Sequence, residues 1–311
     1  TSSPRATASA LHASLTAAQS QFPSTISHAV NPSAHSGGLQ AVQSIADQIR
    51  NGRFEIGIAA GLDPVVPRGV SRSRDESGAV ELGVADDDVE AYRVLSLGRV
   101  KAVGGDCGCW GGEAEMVSSV VDVVGGEVTS RHGGEDTDGE TGGECQDDGI
   151  ANLHDDNSST PTPLFSASLL LMTRATALRL HQPIHAHYVA ATSSPPTAFP
   201  TNPHTAPCNA IQHLFQRTGL SKDDIDVFEI EELSAAAVIY CVRTLGLDQR
   251  RVNASGGAMG LGGVGCVEGL REVVMGLEES GRNGGRVVVV AVGGRDVGRG
   301  TVGLWVNEVG V

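Results

Sequence analysis

Aromatic residues are scarce in this sequence, at 4% of 311 positions, and long apolar runs are lacking. The longest runs are Leu169–Met172 and Val287–Val292, whereas a membrane-spanning helix needs roughly 18 residues. We therefore predict no membrane span. With so few large rings, the core must be built from Val, Leu, Ile and Ala, and 41 glycines allow close crossings of the main chain. This composition indicates an α/β protein with buried, Val-rich strands.

Basic residues are also few, with 22 Lys and Arg against 37 Asp and Glu, and the net charge is −15. A surface of this sign repels phosphate groups, so we expect neither a nucleic-acid partner nor binding to an anionic membrane. Part of the negative charge lies in residues 135–157, a segment without Lys or Arg. We interpret that segment as a solvated, disordered insert rather than a binding surface.

The six cysteines do not form a recognisable zinc motif. Cys107 and Cys109 are separated by one residue, which is the wrong spacing, and no second pair follows at zinc-site distance. His181, His185 and His187 resemble a metal cluster, but no carboxylate or Cys partner is evident, so we predict no metal. Since no signal peptide opens the sequence, we expect reduced cysteines inside a cell.

Hydrophobic periodicity predicts alternating strands and helices, most clearly in the C-terminal half. The predicted helices are Gly37–Gly52, Ala210–Thr218, Ser234–Leu245 and Gly265–Glu279. The predicted strands are Phe54–Ala60, Val120–Val124, His185–Ala191, Val227–Ile230, Arg286–Val292 and Thr301–Asn307, and Phe165–Arg179 is predicted to run from strand into helix. Residues 193–207 contain five prolines and are predicted to be a loop. The alternation implies a layered α/β domain.

Several segments in one order resemble the thiolase superfamily. They are Asp226–Glu232 (DVFEIEE), Val252–Gly262 (VNASGGAMGLG) and Val289–Gly294 (VVAVGG), with Gly38–Val42 and Ile56–Gly61 upstream. The pattern is similar to peroxisomal 3-ketoacyl-CoA thiolases and covers about half of the chain. Matched segments in a fixed order are more specific than a lone glycine motif.

The resemblance implies a five-layer α/β/α/β/α fold of two similar βαβαβαββ halves, usually dimeric. We assign residues 1–160 to the N-terminal half, with a degenerate acidic, Gly-rich insert at about 65–160, and residues 161–311 to the C-terminal half. Thiolases have a further strand and helix before the first matched segment, so we expect the N-terminal half to be incomplete. The Glu308–Val311 end is not a peroxisomal address, and we expect an intracellular protein of the peroxisome or cytoplasm.

The resemblance also implies an acetyl-CoA C-acyltransferase reaction of fatty-acid β-oxidation, in which a Cys thiolate accepts the acyl group, a His activates it and a second Cys moves protons. In this sequence the nucleophile position falls on His35, or on Ala34 with a different placement of one residue. The Asn position falls on Glu231, the activating His on Gly263 and the second Cys on Ala291. All four are substituted, so we expect no thiolysis.

The glycines around these positions are retained and are candidate ligand-binding residues of the active-site loops. The ligand-binding candidates are Gly256, Gly257, Gly262, Gly293 and Gly294, and Gly260 belongs to the same glycine scaffold. No cofactor is predicted, and CoA or acyl-CoA is expected only as a ligand or substrate, because the family's CoA-binding loop sequence is not found at 65–160.

Three candidates for residual chemistry remain open. His35 could act as a base for a neighbouring Ser, although no acid can be assigned to orient it. Cys266 is a weak surrogate nucleophile near a helix start, and the alternative is a buried structural thiol. Of the adjacent Glu231 and Glu232, one could serve as a base, or Glu232 could be a structural acid that bonds backbone N–H groups.

Three functions follow from these observations. The first is a thiolase-like pseudoenzyme that serves as scaffold, ligand binder or partner of an active thiolase, as a homodimer or heterodimer. The second is an acyltransferase or condensing enzyme acting on acyl-CoA with a rearranged active site. The third is a truncated, non-functional product.

Overall fold

The computed structural model describes residues 36–64, 78–104, 119–122, 164–194, 202–263, 265–294 and 299–308. The predicted acidic segment at 135–157 and the position of His35 lie outside these ranges. The named helices are α1 (Gly37–Arg50), α2 (Asp86–Gly104), α3 (Arg174–Arg179), α4 (Ala206–Thr218), α5 (Ala235–Leu245), α6 (Ala258–Leu261) and α7 (Glu268–Asn283). The strands are β1 (Ile56–Pro64), β2 (Ser119–Asp122), β3 (Leu164–Met172), β4 (Ala186–Ser193), β5 (Val227–Ile230), β6 (Val287–Gly294) and β7 (Arg299–Asn307).

These strands are hydrogen-bonded in the order β1-β3-β2-β4-β7-β6-β5. β1 pairs antiparallel with β3, β5 pairs parallel with β6, and β7 runs antiparallel between β6 and β4. A single pair, Asp122 opposite His187, joins β2 to β4. The sheet therefore consists of an N-terminal part and a C-terminal part with a narrow junction between them.

The C-terminal part is a complete βαβαβαββ unit. It runs β4-α4-β5-α5, continues through Val252, which bridges in parallel to Phe228, and ends with α7-β6-β7. The N-terminal half repeats the end of this unit as α1-β1-β3, with β1 and β3 antiparallel as β6 and β7 are. The duplication predicted from the sequence is thus present in the described residues.

The two halves meet at a reciprocal contact between α1 and α7. A Cβ added to Gly38 would lie 2.9 Å from Leu270 Cγ, and one added to Gly269 would lie 2.8 Å from Leu39 Cγ. The Gly-Leu pair of one helix thus packs on the Gly-Leu pair of the other, as residues do across a two-fold axis. Glycine is required at both places because the helices approach too closely for any side chain.

Strand β6 is buried on both faces, which explains its continuous apolar sequence. Val288, Val290 and Val292 face the core that contains α1 and α7, while Val289 and Ala291 face the core that contains α4 and α5. Leu169 and Leu171 of β3 lie in the same core as α1 and α7. The inner helix pair is therefore enclosed between the two parts of the sheet, and α4 and α5 form an outer layer.

Two elements differ from the sequence prediction. The predicted proline loop at 193–207 extends too far, because α4 already begins at Ala206. Pro207 lies in the first turn of this helix, where its missing N–H has no intrahelical partner to lose. Helix α2 is not predicted by the sequence pattern at all. Its apolar residues are divided between a buried face, with Val89 and Val100, and an exposed face, with Val94, and this weakens the helical periodicity.

Candidate functional site

The carboxyl ends of the parallel strands β5 and β6 bring together three of the predicted site residues. The Glu231 backbone N–H donates to the Ala291 carbonyl at 2.9 Å, and Glu231 Oε2 accepts from the Gly293 backbone N–H at 2.7 Å. Ala291 is fully buried and Glu231 is 3% exposed. A Cβ on Gly293 would lie 2.5 Å from Leu233 Cδ1, so this glycine is needed for packing at the strand end.

The turn that precedes α7 lies beside the start of α1. Gly262 has φ +90°, and its carbonyl accepts from Arg271 Nη1 at 2.7 Å. Gly263 is half-buried with open space where a Cβ would stand. The Cys266 carbonyl would be 3.0 Å from a Cβ on Gly38, so the half-buried Cys266 adjoins the first turn of α1. The predicted position of His35 directly precedes that turn and lies outside the described residues.

Glu232 is the acceptor for three donors that come from two helices, α2 and α6. Its Oε1 accepts from the Tyr92 hydroxyl at 2.8 Å, and its Oε2 accepts from the Ser96 hydroxyl at 3.1 Å and from the Met259 backbone N–H at 2.6 Å. The carboxylate is 4% exposed. Burial raises the pKa of Tyr92, and the charge of Glu232 raises it further, so the hydroxyl remains a proton donor. This geometry is that of a structural acid.

Asn253 joins the same network in a left-handed backbone conformation, with φ +46°. Its Oδ1 accepts from the Ile230 backbone N–H at 2.7 Å, and its Nδ2 donates to the Ile230 carbonyl at 2.9 Å and to the Tyr92 hydroxyl at 3.2 Å. The side chain therefore satisfies both backbone groups at the end of β5. Asn tolerates this backbone region better than most residues, which makes the position compatible with the sequence.

Helix α2 holds the glycine-rich loop from the outside. Arg99 donates to the Val252 carbonyl at 2.7 Å and to the Gln249 carbonyl at 2.9 Å. A Cβ on Gly256 would lie 2.4 Å from Val100 Cγ2, and one on Gly260 would lie 2.5 Å from the same atom. These glycines therefore contact protein atoms of α2, a role that the sequence does not reveal because α2 itself is not predicted.

Gly257 packs directly on the Glu232 carboxylate. A Cβ there would lie 2.7 Å from Glu232 Cδ, and the Gly257 N–H donates to the Ser96 hydroxyl at 3.3 Å. Sequence reasoning missed Tyr92 and Ser96. Their spacing of four residues places both on one face of a helix, and the three aspartates at the start of α2 are the signal that could have located that helix.

Buried carboxylates surround a single Arg between α7 and β5. Arg271 forms an ion pair with Glu268, and both side chains are nearly inaccessible. Burial raises the pKa of Glu272 well above its ordinary 4.5, and the charges of Glu268 and Glu231 raise it further. Burial likewise raises the pKa of Glu229. One oxygen of each, Glu229 Oε1 and Glu272 Oε2, has no hydrogen-bond partner among the described residues.

Replacement of Glu272 by Gln is expected to make stability less sensitive to rising pH. Because the folded carboxyl has a raised pKa, the folded state binds more protons than the unfolded state above pH 4.5, and stability falls as pH rises. Each such proton contributes a slope of about 1.4 kcal/mol per pH unit. Urea unfolding between pH 5 and about 8 measures the slope.

The matched control for this substitution is Glu90→Gln on the exposed face of α2, which should leave the slope unchanged. If Glu272→Gln shows the same loss of stability with pH as the parent protein, then Glu272 is ionised in the folded state and the assignment is wrong.

Other kinds of site are not found in the described part of the chain. It contains no group of three or more His, Cys, Asp and Glu residues that could hold a metal ion. Burial lowers the pKa of His185 to about 4, so this imidazole is neutral. No helix within the described ranges is long and apolar enough to cross a membrane.

A βαβαβαββ unit, a second copy of its α-β-β end, an inner helix pair and glycine-rich loops at the strand ends are features of the thiolase class of α/β proteins. The family model described as "Thiolase, C-terminal domain" matches residues 184–302. Peroxisomal 3-ketoacyl-CoA thiolase B of Mus musculus is 31% identical over 298 residues, which covers 83% of this chain and 68% of the mouse protein. The chain belongs to the thiolase family.

Solved structures show the same fold. Peroxisomal 3-ketoacyl-CoA thiolase of Saccharomyces cerevisiae, described as a five-layered structure built from two core domains of identical topology, superposes with a TM-score of 0.64 at 22% identity, over 96% of this chain and 78% of the yeast chain. The dimeric peroxisomal thiolase of the same yeast gives 0.62 at 25% identity, over 96% and 80%. The predicted five-layer fold is confirmed.

Proposed function

We propose that this member of a family of acyl-CoA-metabolising enzymes does not carry out thiolysis, and that its fold serves to bind CoA or acyl-CoA or to pair with an active thiolase. The proposal rests on the carboxyl ends of β5 and β6, where the residues at two of the family's catalytic positions are buried. Where the resemblance places the family's second Cys, Ala291 presents a methyl group that is fully buried. Where it places the Asn, the Glu231 carboxylate is bonded to the Gly293 N–H.

Thioester exchange needs a thiolate, a base to activate it and an acid to move protons. Gly263 and Ala291 have no ionisable side chain, Glu231 is bonded to the Gly293 N–H, and Glu268 is paired with Arg271. Loss of a catalytic nucleophile or base removes several orders of magnitude of rate. The Glu232 network and the packing of the glycine-rich loop on α2 support a folded scaffold.

Purified protein incubated with acetoacetyl-CoA and CoA is expected to release no acetyl-CoA above background, whereas an active thiolase in the same buffer releases it readily. Acetyl-CoA formation is measured by liquid chromatography. Turnover above background that is lost in Cys266→Ala would overturn the proposal. Turnover in both variants would also overturn the proposal if it persists in protein from a host that lacks thiolases, and turnover that disappears there came from a contaminating enzyme.

Two further measurements on the same protein distinguish binding of CoA from dimerisation with a thiolase. A rise in melting temperature with added CoA supports a ligand binder. Co-elution with an active thiolase in size-exclusion chromatography supports a heterodimer, and elution at twice the chain mass supports a homodimer. We propose the peroxisome as the site of action, with the cytoplasm as the alternative, and the similarity to peroxisomal 3-ketoacyl-CoA thiolases supports the first.

A second candidate, an acyl-CoA condensing enzyme with a rearranged site, is favoured by one observation. Cys266 is half-buried in the turn that leads into α7 and adjoins the start of α1. A thiol near helix starts can have a lowered pKa. The Cys266→Ala comparison above also tests this candidate, because a condensing activity that uses this thiol must disappear with it.

A further inference from the structure

We propose that the outward face of α2 is a self-association surface, on which a second copy of this chain packs its own α2 in the antiparallel direction. The inward face of the helix is occupied within the protein, because Tyr92 and Ser96 bond Glu232 and Val100 packs on the glycine-rich loop. The outward face is turned to solvent. The proposal rests on the proposed function in one respect, since it names the surface through which the chain forms a homodimer.

The outward face of α2 is apolar along most of its length. Its exposed apolar and small residues follow the spacing i, i+3, i+4, i+7 and i+11, which places them on one side of a helix. They are Ala91, Val94, Leu95, Gly98 and Ala102. Val94 is 62% exposed and Leu95 is 37% exposed. A surface helix normally presents polar side chains to water, so a continuous apolar face of this kind is typical of an interaction site.

The order of large and small residues along this face is symmetric about its middle. Val94 and Leu95 lie at the centre, Ala91 lies about one turn before them and Gly98 about one turn after. In an antiparallel pair centred on Val94 and Leu95, the large side chains of the two copies meet at the two-fold axis. Ala91 of one copy then lies opposite Gly98 of the other, so the two helices can approach closely. Nothing lies within 4 Å of a Cβ added to Gly98, which leaves this position open to a partner.

The charges on α2 favour the antiparallel direction. Asp87 and Lys101 are both exposed and lie about two helical turns before and after Val94. The antiparallel pair therefore brings Asp87 of each copy to Lys101 of the other, whereas a parallel pair would bring like charges together. Asp88 is paired with Arg243 of α5 at 2.7 Å, which holds the helix on the protein with its apolar face outward.

The size of this surface predicts a weak contact. Stable interfaces bury about 1,200–2,000 Å² in total, and a contact along one helix of 19 residues from each copy falls below that range. We therefore expect association that depends on protein concentration rather than a permanent dimer. The two ion pairs lie at the rim of the contact, where they fix direction and register more than affinity.

Sedimentation of the full chain from about 1 μM to about 1 mM tests the proposal, because this range covers weak association. We expect the mean mass to rise with concentration toward twice the chain mass. Val94→Glu places two like charges at the axis and should weaken self-association by at least about ten-fold. Leu178→Glu is the matched control, since Leu178 of α3 is also 60% exposed and does not belong to this face. It should associate as the parent chain does.

Charge reversal tests the direction of the pair. Asp87→Lys and Lys101→Asp should each weaken self-association, because each places like charges opposite one another. The double variant Asp87→Lys/Lys101→Asp restores both ion pairs and should associate nearly as well as the parent. Circular dichroism confirms that each variant folds, and a general loss of stability would not be reversed by the second substitution.

Three results would overturn the proposal. They are a parent chain that keeps the single-chain mass at the highest concentration, a Val94→Glu variant that associates as the parent does, and a double charge variant no better than either single one. A dimer that persists in Val94→Glu would show that the copies pair through another surface. That result would contradict this interface but leave the homodimer and the absence of thiolysis in the proposed function unaffected.

Discussion

Replacement of Glu232 by Ala is expected to lower the free energy of unfolding by about 3 kcal/mol or more, since each buried donor left unsatisfied costs about 1–3 kcal/mol. The substitution removes the acceptor of the Tyr92 hydroxyl, the Ser96 hydroxyl and the Met259 N–H at once. All three donor residues are buried, so water does not readily replace the lost acceptor. Urea unfolding followed by circular dichroism measures the change.

Two variants control for this result. Glu90→Ala removes an exposed carboxylate whose ion pair with Arg93 is 3.9 Å long, and it should change stability by less than about 1 kcal/mol. Glu232→Gln keeps the size of the side chain but loses one acceptor, so its cost should fall between the two Ala variants. A Glu232→Ala protein as stable as the parent would show that the network contributes nothing.

Replacement of Gly256 by Ala should destabilise the protein by about 2–4 kcal/mol, because a tight packing clash adds to backbone strain. The residue has φ +82°, and its Cβ would lie 2.4 Å from Val100 Cγ2 and 2.7 Å from the Ser96 carbonyl. The carbonyl belongs to the backbone of α2 and cannot move aside without displacing the helix. The free energy of unfolding again measures the effect.

Gly83→Ala separates the two contributions. Gly83 also has a positive φ, +64°, but nothing lies within 4 Å of the added Cβ, so only backbone strain of about 1–2 kcal/mol is expected. If Gly256→Ala costs no more than Gly83→Ala, then α2 yields to the new methyl group and the close crossing is not rigid.

The C-terminal half could be predicted from the sequence because local signals and packing agree there. Gly219 and Gly246 end α4 and α5 in the left-handed conformation, and Ser234 caps the start of α5 by accepting from the Ala237 N–H. The Val-rich strands are buried on both faces, so their apolar runs needed no alternation. Boundaries differ mainly at α7, which begins at Glu268 after a 3-10 turn.

Helix α2 could not be predicted because several of its inward-facing residues are polar and form hydrogen bonds to other parts of the fold. Tyr92 and Ser96 point into the protein to bond Glu232, and Arg99 caps backbone carbonyls, while Val94 is 62% exposed. A periodicity argument counts apolar residues on the buried face and therefore finds no helix. Long-range hydrogen bonds of this kind are properties of the fold, not of the local sequence.

The candidate site was predictable only in part. The resemblance named Glu231, Ala291 and Gly293 as site positions, and the structure adds that Glu231 contacts the other two at the strand ends. The raised pKa values of Glu229 and Glu272 could not be foreseen, because they arise from burial among other acids that are distant in sequence. Charge composition alone suggested a solvated acidic surface and gave no sign of acids inside the core.

The reciprocal packing of Gly38 on Leu270 and of Gly269 on Leu39 has a mechanical consequence. Because the same Gly–Leu contact occurs twice about one axis, neither α1 nor α7 can shift or rotate without breaking both contacts. Helices α1 and α7 therefore act as one rigid unit that fixes the spacing between the two parts of the sheet. Substitutions in the loops around these two helices can therefore leave the spacing of the described sheet unchanged.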